Sequence, residues 1–347
     1  MKPEDNLLFI LARQNFLETH RQKVLEICRT EPIDWENLQA IALAHGIMPL
    51  VYVNLQNCPV AQLDLPAEVE VEFKSTYHRN LAQKTGTVEM LRFILDYLNR
   101  YQIDVMLIKG GALDQLVYDN LAYTLLNDID LVLRPRYGTL SSQQRETIEK
   151  FFVKIPSFRY DFFEHYNVTL NGSLAVDFDR IWRDADQISI LGETALVMSP
   201  EDMLIVTCIN SCRNRFFKLK SLCDIAETIE KYQNLNWAEF VRKTKDYECR
   251  NIVYAALVTT QLTLGCHVPD TILARLDINP IRAELIQFLS RRMSLSSLYT
   301  LQASHELFGR YIGLSLLLPY VTYQFSQVRR KLPFMWHRAK SGRPVYS

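Results

Sequence analysis

The sequence has little of what marks several large protein classes. Its 347 residues include only 11 glycines and 13 prolines, which excludes a collagen-like or low-complexity chain. Lysine and arginine together number 39, as do aspartate and glutamate, so the overall charge gives no argument for nucleic-acid binding. The longest apolar run, 311–325, is interrupted by Pro319 and is too short to cross a bilayer as a regular helix. We therefore expect a globular protein with no transmembrane span.

Cysteine patterns that hold zinc or form a disulfide framework are also missing. The 7 cysteines are odd in number and contain no Cys-x-x-Cys pair, which predicts reduced and mostly buried thiols. The N-terminal residues include Glu4 and Asp5 and lack the basic start and apolar run of a secretory signal. We expect a cytoplasmic protein.

The spacing of apolar residues divides the chain into three regions. Residues 1–100 predict an N-terminal helical region, and residues 101–198 predict a core in which strands appear. Residues 199–347 predict a second helical region that ends in a basic tail. A small mixed sheet flanked by helical regions on both sides is an α+β fold.

Within these regions the periodicity predicts individual elements. The first region includes a predicted helix over about 6–27 and a long one over 67–101. In the core, the apolar run 105–108 predicts a buried strand, and the alternation over 129–133 predicts a half-buried strand. Ser199 and Pro200 predict the start of the first C-terminal helix.

Two aspartates flank an apolar residue where the second strand begins. Successive strand side chains point to opposite faces, so Asp128 and Asp130 project to the same side. Two carboxylates this close repel each other unless a cation neutralises them, and a site built from oxygen atoms alone suits Mg²⁺. Acidic pairs are also common on solvated strands, so this pattern by itself leaves a solubility role open.

A second acidic pair follows in a predicted hairpin. Asn171-Gly172 is a strong two-residue turn signal between 166–170 and 174–179, which predicts two paired strands. Asp177 and Asp179 lie on the second of these strands. Neighbouring strands that both carry carboxylates on one face are harder to explain by solubility alone.

The first predicted strand ends in Lys109-Gly110-Gly111. Glycines let backbone amides approach a phosphate closely, and the helix predicted over 112–118 would add its positive dipole end. An ordinary strand-to-helix turn with one surface lysine explains the same residues. The turn is neither a P-loop nor a Rossmann fingerprint.

The order strand, Gly-Gly turn, helix, Asp-x-Asp strand, hairpin resembles the polymerase-beta-like nucleotidyltransferase superfamily. More closely, the chain over about 30–275 resembles the bacterial uncharacterised nucleotidyltransferase family. The segments that carry this resemblance are IDWENLQAIALAHGIMPLVYVNL (33–55), VMLIKGGALDQLVY (105–118), NDIDLVL (127–133), LAVDFD (174–179) and SPEDMLIVTCINSCRNRFFKLKSLCDIAETI (199–229).

The resemblance implies transfer of NMP from an NTP, with ATP as the expected nucleotide. It implies two Mg²⁺ ions held by Asp128, Asp130 and Asp177, with Asp177 also a candidate proton acceptor from the substrate hydroxyl. The turn formed by Lys109, Gly110 and Gly111 would hold the triphosphate. Lys218 and Lys220, at the start of the helix that carries Asp224, are candidate partners of its β- and γ-phosphates; a solvated helix start explains them equally well.

Two positions depart from the pattern of the family. Relatives usually have an arginine four residues before the first metal aspartate, where this chain has Thr124. They usually have a histidine two residues after the third carboxylate, where this chain has Asp179. A changed acceptor, weakened activity or a degenerate site would each explain these differences.

The C-terminal tail combines basic and aromatic residues. After Glu306 there is no acidic residue, while basic residues accumulate over 329–343 beside Phe334 and Trp336. Such a segment can contact RNA, an anionic membrane surface or an acidic partner. The alternative is a last packed helix followed by a frayed basic end.

Three functions follow from these observations. The leading one is a Mg²⁺-dependent nucleotidyltransferase that acts on a hydroxyl or phosphate of an unidentified small molecule, peptide or RNA. The second is a catalytically degenerate member that binds a nucleotide or a partner. The third is a toxin–antitoxin nucleotidyltransferase that acts on tRNA or protein. The sequence leaves the acceptor, the base preference and the oligomeric state open.

Overall fold

The computed structural model describes residues 2–125, 128–163, 174–213 and 218–291. The basic tail, the predicted strand 166–170 and the Asn171-Gly172 turn lie outside these ranges. None of the helices in the described ranges is long and apolar enough to span a membrane.

Helices form the N-terminal part of the structure. They are α1 (Pro3–Leu11), α2 (Glu18–Thr30), α3 (Trp35–Ala44), α4 (Met48–Gln56) and α5 (Ala67–Arg100). The long helix predicted over 67–101 is confirmed as α5. Asp34 begins α3 by accepting a hydrogen bond from the Asn37 backbone amide at 3.0 Å.

The single helix predicted over 6–27 is wrong, because the chain leaves the helix at Ala12 and resumes only at Glu18. The side-chain amide of Asn54 donates to the Leu11 and Arg13 carbonyls at 2.8 and 2.7 Å. The Arg13 guanidinium pairs with Glu227, 2.8 Å away. These contacts with distant residues stabilise the break against the local helical pattern.

The middle part contains one mixed sheet in the strand order β3-β2-β1-β5-β4. The strands are β1 (Ile103–Ile108), β2 (Ile129–Pro135), β3 (Phe158–Phe162), β4 (Asp186–Ile190) and β5 (Glu193–Val197). The helices between them are α6 (Lys109–Leu116), α7 (Ser142–Phe152) and α8 (Phe178–Arg183). The predicted α+β fold is confirmed.

The directions of the strands place the C-terminal end of β1 beside the N-terminal ends of β2 and β3. β1 runs antiparallel to β2 and parallel to β5, while β3 runs parallel to β2. β4 and β5 form a hairpin through Leu191 and Gly192, both with positive φ. The long helix α5 packs against β1 and β5, and α6 packs against β1 and β2.

Helices again form the C-terminal part. They are α9 (Pro200–Arg213), α10 (Leu219–Lys231), α11 (Trp237–Asp246), α12 (Arg250–Leu264), α13 (Asp270–Arg275) and α14 (Pro280–Ser290). One hydrophobic core extends from Leu7 to Ile286 through all three parts. The division of the chain at residues 100 and 198 into separate regions stays a prediction.

All 7 cysteines are free, and Cys28 is the one that is not buried. This confirms the predicted reduced thiols. Burial raises the pKa of the Cys58 thiol to about 11 and that of Cys212 to about 12, so both are protonated at neutral pH.

Candidate active site

The segment Lys109-Gly110-Gly111, predicted as a turn before a helix, is instead the first turn of α6, and its lysine lies beside Asp130 of the Asp-x-Asp motif. Ile108, the last residue of β1, pairs with Asp130 on the antiparallel strand β2. Lys109 follows with φ of 52°, a left-handed conformation that is uncommon for a residue with a side chain. Its ammonium Nζ lies 3.0 Å from Asp130 Oδ2, and both side chains are partly exposed. A partly solvated ion pair therefore joins two of the predicted site residues.

Gly111 has a packing role that the sequence did not indicate. A Cβ atom at this position would lie 2.9 Å from Cγ2 of Ile129 on β2, closer than carbon atoms normally approach. Glycine is therefore required for the close approach of α6 to β2. A role of Gly110 and Gly111 in phosphate binding stays a prediction.

Asp128 has a cationic partner that the sequence analysis missed. Arg159 lies on β3 in register with Asp130, so its side chain is on the same face of the sheet as that of Asp130. Its Nε atom lies 2.5 Å from Asp128 Oδ2. The alternation of Phe158, Tyr160 and Phe162 with polar residues was the available signal for this strand.

Asp177 does not lie on a strand, so the predicted strand over 174–179 is wrong. Its carboxylate accepts a hydrogen bond from the Arg180 backbone amide at 3.0 Å and begins α8. Phe178 and Trp182, four residues apart, both contact the ring of Phe163 at centroid distances of 5.7 and 5.3 Å. This i, i+4 aromatic packing together with the aspartate cap favours a helix.

The three predicted metal ligands are brought together only in part. Asp130 lies in β2 and Asp128 directly precedes it, but the described residues contain no group of three His, Cys, Asp or Glu side chains that could hold a metal ion. Asp179 lies 4.0 Å from Arg134, four residues along β2 from Asp130. The Asp128–Asp130 pair fits a Mg²⁺ ion that takes its other ligands from water and phosphates. Asp177 is not part of a closed carboxylate cluster here.

Lys218 and Lys220 differ in their surroundings. Lys218 is exposed at the N-cap of α10. The Lys220 ammonium lies 3.0 and 2.8 Å from the two carboxylate oxygens of Asp224. Burial lowers the pKa of Lys220, but Asp224 and Asp114 raise it more, so the side chain stays charged. Lys220 is therefore already neutralised within the protein, whereas Lys218 has no such contact among the described residues.

A buried ion pair lies beside these groups and was also missed. Lys84 on α5 donates to Asp114 on α6 at 2.7 Å, and both side chains are buried. Thr124 donates to the other oxygen of Asp114 at 3.2 Å. Burial lowers the pKa of Lys84 and raises that of Asp114, against the attraction between the two charges. The pair joins the N-terminal helices to the core.

The sequence did contain a signal for this ion pair. Thr76, Asn80 and Lys84 are spaced four residues apart and therefore lie on one face of α5, and all three are buried. Polar residues at the spacing of an apolar stripe indicate a polar contact inside the fold. Asn80 makes such a contact, since its amide donates to the Ala122 and Thr124 carbonyls.

A shallow cleft with a volume of about 20 Å³, enough for about one water molecule, lies between α5 and α6 next to Asp128. Its floor is formed by Lys84 and Asp114. Gly111 and Ile129 line the side that faces the sheet. Asp128 is therefore shared by the cleft and the ion pair with Arg159.

A mixed sheet with a Lys-Gly-Gly turn facing an Asp-x-Asp strand is what we expect of a nucleotidyltransferase. The sequence matches the model of the uncharacterised nucleotidyltransferase family over residues 31–140 and 164–265, more than half of the chain. The chain belongs to this family of transferases, which confirms the resemblance seen in the sequence. No curated protein and no solved structure shows significant similarity to it.

Proposed function

We propose that the protein transfers NMP from an NTP to an acceptor at the edge of the sheet formed by β1, β2 and β3. The observation that carries this proposal is the pairing of each strand aspartate with a cation from a neighbouring element. Lys109 lies beside Asp130, and Arg159 lies beside Asp128. Two anions and two cations at one edge match a divalent metal and a polyphosphate, respectively.

The exposure of these groups supports ligand exchange. The side chains of Asp128 and Asp130 are 26% and 21% exposed, so both can change partner without a buried charge being left unpaired. We propose that the two carboxylates hold Mg²⁺. Bound there, the ion would neutralise charge that develops at the α-phosphate.

Lys109 and Arg159 would then bind phosphate oxygens. An arginine guanidinium matches phosphate oxygens with two parallel hydrogen bonds, and a lysine ammonium acts as a point charge. Both cations start within 3.0 Å of a carboxylate, so a rotation of the side chain is enough to change partner. Lys218, exposed at the start of α10, is a further candidate phosphate ligand.

ATP as the nucleotide, a second Mg²⁺ ion and the participation of Asp177 are proposals that rest on the resemblance to the family. Asp177 accepts the Arg180 amide through Oδ1, so its second carboxylate oxygen is the one that would bind a metal or accept a proton. The acceptor is proposed to offer a hydroxyl or a phosphate. Contact of the basic tail with RNA or a membrane surface stays a prediction.

A second candidate function is nucleotide binding without transfer. It is favoured by one observation: among the described residues, no third carboxylate joins Asp128 and Asp130. A protein that holds Mg²⁺ and NTP through two aspartates would bind its ligand but align the reacting groups less well.

Label transfer distinguishes these two functions. The full-length protein is incubated with each α-labelled NTP, Mg²⁺ and a cell extract as the source of acceptors. We expect label transfer by the wild type and none by the Asp128→Asn/Asp130→Asn variant. Asp104→Asn is the matched control, because Asp104 forms a similar partly exposed ion pair with Arg136 at the opposite end of β1.

Calorimetry with each NTP, with and without Mg²⁺, completes this test. Mg²⁺-dependent binding without label transfer would favour the second function. Equal transfer by the wild type and the double aspartate variant would contradict the proposed site.

A further inference from the structure

The helix α6 connects the sheet edge to the buried ion pair of Lys84 and Asp114. β1 ends at Ile108 and α6 begins at Lys109, so no loop separates the strand from the helix. Lys109 contacts Asp130 at the sheet edge, and Asp114 lies further along the same helix. A shift or rotation of α6 therefore moves the Lys109 side chain relative to Asp130.

Packing of apolar side chains restrains the position of this short helix only in part. α6 has 8 residues and packs against β1 and β2, where Ala112 and Leu113 are buried. The contact of Gly111 with Ile129 sets how closely α6 approaches β2, but it does not prevent movement parallel to the sheet. Apolar contacts are non-directional, whereas a hydrogen bond requires a defined distance and angle. Buried polar contacts therefore specify the position of α6 more sharply.

Asp114 provides such contacts through both of its carboxylate oxygens. Lys84 donates to Oδ2 at 2.7 Å, and Thr124 donates to Oδ1 at 3.2 Å. Lys84 also donates to the Thr124 hydroxyl at 3.3 Å, which completes a triangle of hydrogen bonds. Thr124 is 1% exposed, and its backbone carbonyl accepts a hydrogen bond from Asn80 at 3.1 Å. The cluster of Lys84, Asp114 and Thr124 therefore holds α6 both to α5 and to the segment that precedes the Asp-x-Asp motif.

We propose that Lys84, Asp114 and Thr124 are positioning residues that hold Lys109 beside Asp130, where it binds phosphate. The inference rests on the proposed function, because phosphate binding by Lys109 is part of that function. The three buried residues act on Lys109 through α6 and do not themselves contact the ligand. A displacement of a binding group by about 1 Å can lower a rate about 100-fold, so a contact away from the sheet edge can control the site.

The first test uses the full-length Lys84→Met/Asp114→Leu variant, in which both charges are removed so that neither is left buried and unpaired. If the pair only stabilised the fold, this variant would bind ligands normally once its stability is restored. We expect instead that its affinity for inorganic tripolyphosphate with Mg²⁺, measured by calorimetry, falls about fivefold or more, as in Lys109→Ala. Wild-type affinity in a variant that unfolds at the wild-type urea concentration would overturn the proposal.

Thr124→Val is a milder variant that keeps the ion pair. It replaces the hydroxyl that contacts Asp114 and Lys84 by a methyl group of similar size. Thr260→Val is the matched control, because the Thr260 hydroxyl is also buried but donates to the Ala256 carbonyl within α12. We expect Thr124→Val to lower the affinity for tripolyphosphate about threefold or more and Thr260→Val to leave it unchanged. Equal affinities of these two variants would overturn the proposal.

Combining Thr124→Val with Lys109→Ala shows whether the cluster acts through the lysine. If it does, Thr124→Val causes no further loss of tripolyphosphate affinity once Lys109 has been removed. Losses that add together in the combined variant would overturn the proposed action through Lys109.

A crystal structure of the Lys84→Met/Asp114→Leu variant separates this inference from the proposed function. We expect the distance between Lys109 Nζ and Asp130 Oδ2 to increase from 3.0 Å to more than about 4 Å, the limit for an ion pair. An unchanged distance would overturn the positioning role whatever the affinities are. Tripolyphosphate binding that is unaffected by Lys109→Ala would instead contradict the phosphate site of the proposed function.

Discussion

Two groups of ion pairs lie close together in this protein and differ in their access to solvent. At the sheet edge, Lys109 and Asp130 are 26% and 21% exposed. Between α5 and α6, Lys84 and Asp114 are 5% and 6% exposed. Charges that water can reach exchange partners at little cost, whereas a buried charge that loses its partner is strongly destabilising. This difference supports the proposed ligand site at the sheet edge and favours a structural role for the buried pair.

The largest effect is expected from breaking the buried pair. Lys84→Met leaves the Asp114 carboxylate buried without its cation, which should lower the free energy of unfolding by about 3–5 kcal/mol. Urea unfolding monitored by circular dichroism measures this change. The double variant Lys84→Met/Asp114→Leu removes both charges and should recover most of the loss. A single variant as stable as the wild type would contradict the structural role.

The second-largest change in stability is expected at the contact between α6 and β2. Gly111→Ala places a methyl group 2.9 Å from Ile129 Cγ2, and this overpacking should cost about 1–3 kcal/mol of stability. Gly86, in the middle of α5, has nothing within 4 Å of the same added atom. Gly86→Ala should therefore stabilise the protein by about 0.5–1 kcal/mol. Thermal or urea unfolding would show the opposite signs, and equal shifts would disprove the close approach.

Variants of Asp177 test whether this helix-capping residue also takes part in the reaction. Asp177→Ala removes the side-chain hydrogen bond to the Arg180 amide and should cost about 1 kcal/mol. Asp177→Asn keeps a good capping group but removes the charge, so its stability should be close to that of the wild type. If Asp177 is a metal ligand, label transfer is lost in both variants. Full transfer by Asp177→Asn would limit this residue to its capping role.

The smallest change in stability is expected at the sheet edge. Arg159→Ala breaks a partly exposed ion pair and should alter the free energy of unfolding by less than about 1 kcal/mol. Its affinity for tripolyphosphate should nevertheless fall, because a phosphate-binding cation is lost. Arg242→Ala, which removes another exposed arginine paired with acids, is the control and should leave the affinity unchanged. A large loss of stability in Arg159→Ala would contradict the contrast between the two groups of ion pairs.

Much of the fold could be predicted because its signals are local. Apolar spacing predicted α5, β1 and β2, and the Ser199-Pro200 start predicted α9. The break after α1 could not be predicted, because it depends on contacts of Arg13 and its neighbours with residues far along the chain. The helix that begins at Asp177 was missed because a turn signal and an alternating pattern were given more weight than the cap and the aromatic pair.

The candidate site likewise combines features that have a local sequence signal with features that depend on distant contacts. Asp128 and Asp130 were predicted to share a face of a strand; β2 begins at Ile129, so their common face stays a prediction, while each pairs with a cation at this end of the sheet. Arg159 was missed because its relation to Asp128 depends on which strand pairs with β2. Lys84 was missed because its partner Asp114 lies 30 residues away on another helix.

The order of residues alone was enough to predict α5, β1, β2 and the start of α9, and to indicate the family that the chain resembles. These properties follow from backbone geometry and side-chain order over a few residues. The cations that pair with Asp128 and Asp130, and the capping position of Asp177, became known from the folded structure. Each of these depends on the packing of elements that are distant in the chain, which sets distances that no local pattern specifies.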